Sequence, residues 1–345
     1  MKASRVRLGD LSVGFTQALA AALRERGHDP QPLLEQFGLD AARLSEPRAR
    51  LSIPRFMRLG HSAIALCGDP ALGLDMGRLS RLGQVGLAGI CAAQAPSLGA
   101  AARVLTDFEA LYAANYRGSS GLVEDGRGAW LHFYSISPYN AYNRFVVDSV
   151  LAGWQSNLSE VIGRPVALEK VEIEFPAPVY AERYEALFGC AVEFAAGANR
   201  LRLSAASLAQ GNPEHCPGTW QQLLELCERE REQLTRTRSL RERVIQLLGP
   251  LLHGREPDLE ELARRLQLPS WTLRRKLAEE GTQFRAILND TRRDLAMAYI
   301  RDTELAFGEI AYLLGFASAE AFQRAFKRWL GQTPGDYRRA QRRAG

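Results

Sequence analysis

The sequence contains no run of 18 or more apolar residues, so it offers no candidate for a membrane-spanning helix. Its five Cys residues are an odd number without CxxC spacing, which indicates neither a disulfide framework nor a structural zinc site. A reducing compartment fits this cysteine usage, and we expect a cytoplasmic protein. Ser12, Thr16 and Gln17 interrupt the apolar stretch 11–23, which favours an amphipathic helix over a signal peptide.

Catalytic motifs are absent as well. The nucleophile motif GxSxG, the phosphate-binding motif GxxxxGK followed by Ser or Thr, and the zinc motif HExxH do not occur. The five His residues are scattered, and none is paired at helical spacing. We therefore predict that the protein is not an enzyme and has no catalytic residues, no cofactor and no metal site.

Positive charge is concentrated in the last third of the chain. From Arg236 onward there are 21 Lys and Arg against 14 Asp and Glu, a net charge of +7. The residues before Arg236 carry a net charge of −2, although the whole chain is only +5. The last third is therefore the candidate for binding a polyanion.

The length and composition indicate about two domains in a soluble globular chain, with 345 residues of which 46% are hydrophobic. The segment AQGNPEHCPG at 209–218 gathers Gly, Pro and Asn, which marks the main boundary. We predict a regulatory domain at 1–211, a linker with a candidate dimerisation helix at 212–238, and a C-terminal domain at 239–345.

The N-terminal domain mixes two hydrophobic periodicities, which predicts an α+β fold. Helical spacing occurs at 15–26, 54–67, 97–114 and 141–162, and strand-like alternation occurs at 119–125, 128–135, 168–175 and 199–204. The Gly-containing segment EDGRG joins two of the strands as a hairpin, so consecutive strands are expected to be antiparallel.

The linker region has one narrow apolar stripe at near-helical spacing. Its members are Trp220, Leu223, Leu224, Cys227 and Leu234. Such a stripe suits a partner helix from a second subunit. It suits equally a helix packed on its own domain, because the stripe is too short for a sustained heptad pattern.

The C-terminal domain carries helix-turn-helix spacing twice, which predicts an all-α domain. At about 307–328, Gly315 supplies a left-handed residue that ends one helix, and Ser318 can cap the next, whose apolar face is Phe322, Phe326 and Trp329. The same spacing occurs 48 positions earlier, at about 259–278, with Gln267 in place of Gly315 and Ser270 as the cap. The helix predicted between the motifs, 283–300, spans about 27 Å, which approaches the roughly 34 Å between major grooves on one duplex face.

These motifs resemble a known family. Residues 240–340 are similar to the tandem helix-turn-helix domain of the AraC/XylS family of bacterial transcription regulators, and EIAYLLGFASAEAFQRAFKRWLGQTPGDYR follows the family signature along its whole length. Residues 1–208 resemble the arabinose-binding-like regulatory region of the OruR/ArgR-like branch, through Phe175-Pro176, the segment 184–194 and NRLRLS at 199–204. They do not resemble the Gly-rich jelly roll of the arabinose regulator, so sugar binding is not implied.

The resemblance implies residues that read DNA bases. By similarity to the WxLxR pattern of the family, Trp271, Arg274 and Arg275 should approach base edges, where an Arg fork pairs with guanine. Trp271 has an alternative role as a staple on the domain's own surface. In the second motif the inward direction of Phe322 and Phe326 turns the remaining candidates outward, namely Ala319, Glu320, Gln323 and Arg324. A solvated polar face is the alternative for each of them.

Four basic residues are expected to contact phosphates, which adds affinity without sequence information: Lys327, Arg328, Arg338 and Arg339. In the regulatory domain, Tyr139, Tyr142, Asn143 and Arg144 are candidates for a small-molecule site, with Arg144 suited to a carboxylate. The alternative is that the aromatics pack in the core and Arg144 lies on the surface.

The resulting prediction is a sequence-specific regulator, an activator controlled by a small-molecule effector. Its partners would be double-stranded DNA, the effector, RNA polymerase and a second copy of the chain, with no membrane. It would lie in the bacterial cytoplasm, associated with the nucleoid when bound to DNA. The alternatives are an architectural or ligand-independent DNA-binding protein without a sensing pocket, and an enzyme with a DNA-binding appendage.

Overall fold

The computed structural model describes residues 9–46, 48–115, 120–135, 139–236, 239–252 and 254–344. The N-terminal part contains, in order, β1 (Gly9–Ser12), α1 (Phe15–Glu25), α2 (Gln31–Gln36), α3 (Ala41–Ser45), β2 (Arg50–Ser52), α4 (Ile53–Cys67), α5 (Leu72–Arg78), a short 3-10 helix (Leu82–Val85), α6 (Leu87–Ala93), α7 (Leu98–Asp107), α8 (Glu109–Tyr112), β3 (Ala113–Asn115), β4 (Gly121–Asp125), β5 (Gly128–Phe133), α9 (Ala141–Ile162), β6 (Lys170–Glu172), α10 (Glu182–Phe188), β7 (Ala191–Glu193), β8 (Asn199–Ser204) and α11 (Ala205–Leu208).

Among the described residues of the C-terminal part, the regular elements are all helices. Its elements are α12 (Pro217–Arg236), α13 (Leu240–Leu251), α14 (Leu259–Arg265), α15 (Ser270–Glu279), α16 (Phe284–Asp302), α17 (Phe307–Leu313), α18 (Ala319–Leu330) and α19 (Pro334–Ala344). None of the helices in the described ranges is both long and apolar enough to cross a membrane. The predicted fold class, α+β followed by an all-α region, is confirmed.

One predicted helix, 97–114, is divided in the structure. Helix α7 ends at Asp107, the short α8 follows, and the chain then enters β3 at Ala113. Ala113 is paired with Leu11 in an antiparallel ladder, a contact about 100 positions away in sequence that the local helical pattern does not contain. Long-range strand pairing therefore outweighs local periodicity at this point.

That ladder belongs to a small sheet with strand order β2-β1-β3, which the sequence pattern does not reveal. Its strands have three or four residues, too few to show a clear alternation. Leu11 lies opposite Leu51 and packs in a core with α1 and α4. The sheet thus closes the N-terminal end of the domain around these helices.

The larger sheet has strand order β4-β5-β8-β6-β7, and all its neighbouring strands are antiparallel except β6 and β7. The predicted EDGRG hairpin is present, with Asp125 paired to Gly128. Leu131 lies opposite Leu201, which lies opposite Val171, and all three are fully buried. This row of apolar side chains attaches the sheet to the helices above it.

Helix α12 packs on the core of the N-terminal part. Cys227 is fully buried against the N-terminal core, and Trp220, Leu223 and Leu224 pack on the same surface beside α6. The Arg231 guanidinium carbon lies 5.2 Å from the centroid of the Phe108 ring. Four members of the stripe, Trp220, Leu223, Leu224 and Cys227, thus pack within the chain, as the alternative of a helix docked on its own chain expects. Pairing of two subunits through this helix stays a prediction.

The C-terminal helices have a core of their own, formed by residues between Val244 and Phe326. This core is attached to the N-terminal part through α16, which contacts α4. There, Arg58 Nη1 donates to the backbone oxygen of Arg301 at 3.5 Å. The long helix between the two helix-turn-helix motifs is thus also the helix that contacts the N-terminal part.

Helix α9 is the central helix of the N-terminal part, and it carries a fully buried carboxylate. Asp148 is 0% exposed and accepts hydrogen bonds from the hydroxyls of Tyr184 at 2.5 Å and Tyr180 at 2.8 Å. Burial raises the pKa of Asp148 to about 7, although the two tyrosine donors and the charge of Arg144 oppose the shift. Asp148 therefore titrates near neutral pH in the folded protein.

We predict a pH-dependent stability that originates at Asp148. Because its folded pKa lies above the unfolded value near 3.8, the folded state binds the proton more tightly, and this stability is present at low pH. It is lost as pH rises from about 4 to about 7, at a slope approaching 1.4 kcal/mol per pH unit. Asp148→Asn should flatten that slope in urea unfolding measured across this range.

The matched control is Asp107→Asn, which changes an exposed carboxylate at the end of α7. This control should keep the slope of the wild-type protein. An equal slope in wild type and Asp148→Asn would show that Asp148 does not titrate in the folded state as described.

Candidate DNA-binding surface and ligand cavity

The two helix-turn-helix motifs have the same turn geometry despite their different residues. After α17, Gly315 has φ of 67°, and the amide of Phe316 donates to the backbone oxygen of Ala311 at 2.9 Å. After α14, Gln267 has φ of 55°, and the amide of Leu268 donates to the backbone oxygen of Ala263 at 3.0 Å. Both turns are Schellman motifs, so Gln267 occupies the left-handed position that usually favours Gly.

Gly315 has a second constraint that Gln267 lacks. A Cβ atom at position 315 would lie 2.2 Å from the backbone oxygen of Arg255 and 2.7 Å from that of Leu252. These atoms belong to the connection between α13 and α14, so the turn of the second motif packs directly against the segment that leads into the first motif. The amide of Gly254 also donates to the backbone oxygen of Tyr312 at 3.0 Å.

Arg292 on α16 forms hydrogen bonds with the backbone of the Gly315 turn. Its Nε donates to the backbone oxygen of Leu314 and its Nη2 to that of Gly315, both at 2.8 Å, while its guanidinium lies 4.7 Å from the centroid of the Phe316 ring. Only 7% of the Arg292 side chain is exposed, and burial lowers the pKa of the guanidinium. Sequence reasoning missed this residue, because nothing in a helical spacing pattern distinguishes it from a surface Arg.

Helix α15 presents the first group of predicted base-reading residues to solvent. Leu273 and Leu277 are buried in the C-terminal core, as the spacing predicts. Trp271 is 66% exposed, and the guanidinium carbon of Arg275 lies 5.9 Å from the centroid of its ring. Arg274 is also exposed. The helix begins at Ser270 without a side-chain cap bond, so the expected capping role of Ser270 is corrected.

Helix α18 presents the second group. Ser318 caps this helix as predicted, accepting a hydrogen bond from the amide of Ala321 at 3.2 Å. Phe322 and Phe326 are fully buried, whereas Glu320, Gln323 and Arg324 are exposed and Ala319 is half-buried. A hydrogen bond with Ser318 lowers the pKa of Glu320, and the charge of Arg324 contributes in the same direction. The Glu320 carboxylate is therefore charged at neutral pH and able to accept a hydrogen bond.

The four predicted phosphate contacts fall into two groups. Lys327, Arg328 and Arg339 are exposed, and Arg339 pairs with Asp336, an exposed ion pair that costs little to break. Arg338 is half-buried, donates to the backbone oxygen of Leu305 at 2.6 Å and lies 4.5 Å from the centroid of the Phe307 ring. The structure thus gives Arg338 an internal role in joining α19 to the start of α17.

A mostly apolar cavity lies within the N-terminal part and reaches α16. It has about 120 Å³ of free space, and its aromatic walls are Phe15, Phe56, Tyr112, Phe133 and Trp154. Polar groups enter it from Glu109 on α8 and from Asn143 and Asn157 on α9. Tyr299 of α16 and Thr303, which directly follows this helix, complete the lining, so the cavity is bounded by both parts of the chain.

The four predicted ligand residues do not converge at this cavity. Among the described lining residues only Asn143 belongs to the set, and it is buried at the start of α9, where its Oδ1 accepts from the amide of Asn140 at 2.7 Å. Tyr142 stacks on His61, with ring centroids 4.3 Å apart.

The other two candidates face a neighbouring part of the domain. The Tyr139 hydroxyl is hydrogen-bonded to Glu174 and Asn199, and the Arg144 guanidinium carbon lies 5.6 Å from the centroid of the Phe175 ring. Sequence reasoning missed Glu109, Asn157, Tyr299 and Thr303, which no local pattern brings together.

Two helix-turn-helix motifs behind an α+β domain define the class of the protein, a DNA-binding transcription regulator. A sequence model described as "Arabinose-binding domain of AraC transcription regulator, N-term" matches residues 27–212, and one described as "Helix-turn-helix domain" matches residues 262–340. The chain therefore belongs to the AraC family of transcription regulators, whose members compared with it are regulators rather than enzymes. The family resemblance drawn from the sequence is confirmed.

Individual relatives match most of the chain. The Ornithine utilization regulator of Pseudomonas aeruginosa is 32% identical over 95% of this chain and 96% of its own length. The regulator VirS of Mycobacterium tuberculosis is 26% identical over 92% of both chains. The crystal structure of the transcriptional regulator CdpR from Pseudomonas aeruginosa is 23% identical, covers 94% of this chain and 98% of its own, and has a TM-score of 0.47.

We predict that substitutions at the two turn positions, 267 and 315, change the free energy of unfolding in opposite directions. Gln267→Gly should raise the free energy of unfolding by about 0.5–1 kcal/mol, because it removes the strain of a side chain in the left-handed region. Gly315→Ala should lower it by about 3 kcal/mol or more, since the new Cβ meets two backbone oxygens. Urea unfolding of both variants provides the measurement.

Gln267→Ala is the control for loss of the Gln side chain alone, and it should lie close to wild type. A Gly315→Ala variant as stable as Gln267→Ala would contradict the close packing of the two motifs at Gly315.

Proposed function

We propose that the protein is a transcription activator that binds double-stranded DNA through both motifs of each protomer. The observation that carries this proposal is that the two motifs are held in a fixed relative position by direct contacts. The Gly315 turn packs on the connection between α13 and α14, and Arg292 of α16 holds the carbonyls of that turn. A fixed pair of recognition helices suits two grooves on one face of a duplex.

The linker helix has a length suited to this arrangement. α16 contains 19 residues, which at 1.5 Å per residue is about 29 Å, comparable with the roughly 34 Å of one helical turn of DNA. α15 and α18 each present a buried apolar face and an exposed face with Arg and other polar groups. Trp271, Arg274, Arg275, Ala319, Glu320, Gln323 and Arg324 are the proposed base-reading residues.

We propose further that activity is controlled by a small-molecule effector in the N-terminal domain. The supporting observation is the cavity, which has contributions from α8, α9 and α16 and so joins the regulatory domain to the DNA-binding domain. The protein would act in the bacterial cytoplasm as a homodimer that contacts RNA polymerase. Such a dimer would pair through α12 or through the N-terminal domain. A ligand-independent DNA-binding protein is the alternative.

The first DNA prediction concerns the footprint on the target site. Each protomer should protect two patches about one helical turn, or roughly 10 base pairs, apart, and a homodimer should protect four. Hydroxyl-radical footprinting of the full-length protein on its operator provides the measurement. Protection of a single patch for each protomer would contradict the use of both motifs.

The second DNA prediction separates base reading from phosphate contact. Arg275→Ala should weaken specific binding by about 1–3 kcal/mol and relax the preference at one base pair, because it removes a base-edge fork. Arg339→Ala should weaken binding to all sequences alike and reduce the salt slope by about one unit. Fluorescence anisotropy on specific and scrambled duplexes, over a range of salt, measures both.

The two variants are matched controls for each other, since each removes one exposed Arg from a helix surface. Identical behaviour of the pair on specific and scrambled DNA would show that the assigned roles are wrong.

A further inference from the structure

The cavity that reaches α16 contains one buried hydrogen-bond acceptor that lacks a donor among the described residues. Asn157 is 4% exposed and lines the cavity, and its Oδ1 has no hydrogen-bond partner among the described residues. A buried polar atom without a partner is costly, so it is expected to receive a donor when the cavity is filled. In this way Asn157 points to a ligand with an N–H or O–H group.

Glu109 adds a carboxylate to the same cavity. Its two oxygens accept hydrogen bonds from Ser120, one from the amide at 2.9 Å and one from the hydroxyl at 2.5 Å, which leaves further lone pairs on both. Burial is the main influence on its pKa, which is raised. None of the described lining residues is Lys, Arg or His. A cationic group brought by a ligand would therefore supply the counter-charge that the described lining lacks.

The walls of the cavity favour the same kind of ligand. Phe15 and Tyr112 have ring centroids 6.0 Å apart, as do Phe133 and Trp154, and all four rings line the cavity. Aromatic faces attract cations and provide apolar contact for a hydrocarbon body. An anionic ligand would bury its charge without a cation among the described lining residues, which is unfavourable.

The wall contributed by α16 gives such a ligand access to the DNA-binding domain. Tyr299 and Thr303 lie in the lining, and Tyr299 is about two helical turns from Arg292 on the same helix. Arg292 in turn binds the carbonyls of the Gly315 turn. A ligand that contacts α16 thus contacts the helix that connects the two motifs.

We propose that this cavity is the effector site, and that the effector is an amine with an apolar body. The ammonium group binds Glu109 and Asn157, and the apolar body lies among the aromatic rings and against α16. This inference rests on the proposed function, because it assumes that DNA binding responds to an effector. It adds the chemical class of the ligand and the helix through which the ligand acts.

The test uses three probes with the same hydrocarbon chain and different head groups: hexylamine, hexanol and hexanoate. With the full-length protein in isothermal titration calorimetry, hexylamine should bind at least about ten times more tightly than hexanol, and hexanoate should bind most weakly. Tighter binding of hexanoate than of hexylamine would overturn the proposal.

Glu109→Gln provides the matched variant, since it keeps the size of the side chain and removes its charge. It should weaken hexylamine binding about tenfold or more and leave hexanol binding within about twofold, which also shows that the cavity is still formed. Asn157→Leu should weaken both hexylamine and hexanol. Unchanged hexylamine preference in Glu109→Gln would overturn the assignment of the ammonium site.

Separate measurements distinguish this inference from the proposed function. Fluorescence anisotropy with operator DNA should show an affinity that changes at least about threefold on addition of hexylamine, and DNA should change hexylamine affinity by the same factor. DNA binding without any hexylamine binding would overturn the inference and leave DNA recognition intact. Hexylamine binding that leaves DNA affinity unchanged would overturn the effector role of the site.

Discussion

The packing of the Gly315 turn is the constraint on which the DNA-binding half of the molecule depends. Three parts of the chain meet there: the end of α17, the connection between α13 and α14, and Arg292 of α16. A side chain at 315 would collide with two backbone oxygens, and the buried guanidinium satisfies the carbonyls that end α17. The relative placement of the two recognition helices is thereby set by backbone contact and hydrogen bonds rather than by a flexible linker.

Helix α16 makes several of the contacts that connect the parts of the molecule. α16 separates the motifs, supplies Arg292 to the second turn, contacts α4 of the N-terminal part and lines the cavity with Tyr299. A rigid helix transmits a displacement along its length, because its backbone hydrogen bonds resist bending. A ligand alters DNA binding only through a difference in affinity between two arrangements, and contact with α16 is a direct way to produce one.

In the N-terminal part, local hydrophobic patterns predict some of the helices and strands but not all of them. Helices α1, α4 and α9 and the hairpin of β4 and β5 lie where the hydrophobic spacing predicts them. The three-stranded sheet and the break in 97–114 escaped prediction because they depend on pairing between distant short strands. The α12 stripe was read correctly as an apolar helix face, yet its partner could be identified only from the packing of Cys227 and its neighbours on the N-terminal core.

The sequence by itself determined the family, the tandem motifs, the left-handed turn at Gly315 and the exposed faces of α15 and α18, because each depends on residues within one or two helical turns. Tertiary structure decided the rest. It made Arg338 internal, moved the ligand candidates Tyr139, Tyr142 and Arg144 to other contacts, and gathered Glu109, Asn157 and Tyr299 around one cavity. Those residues come from three helices separated by tens to more than a hundred positions, and only long-range packing brings such positions together.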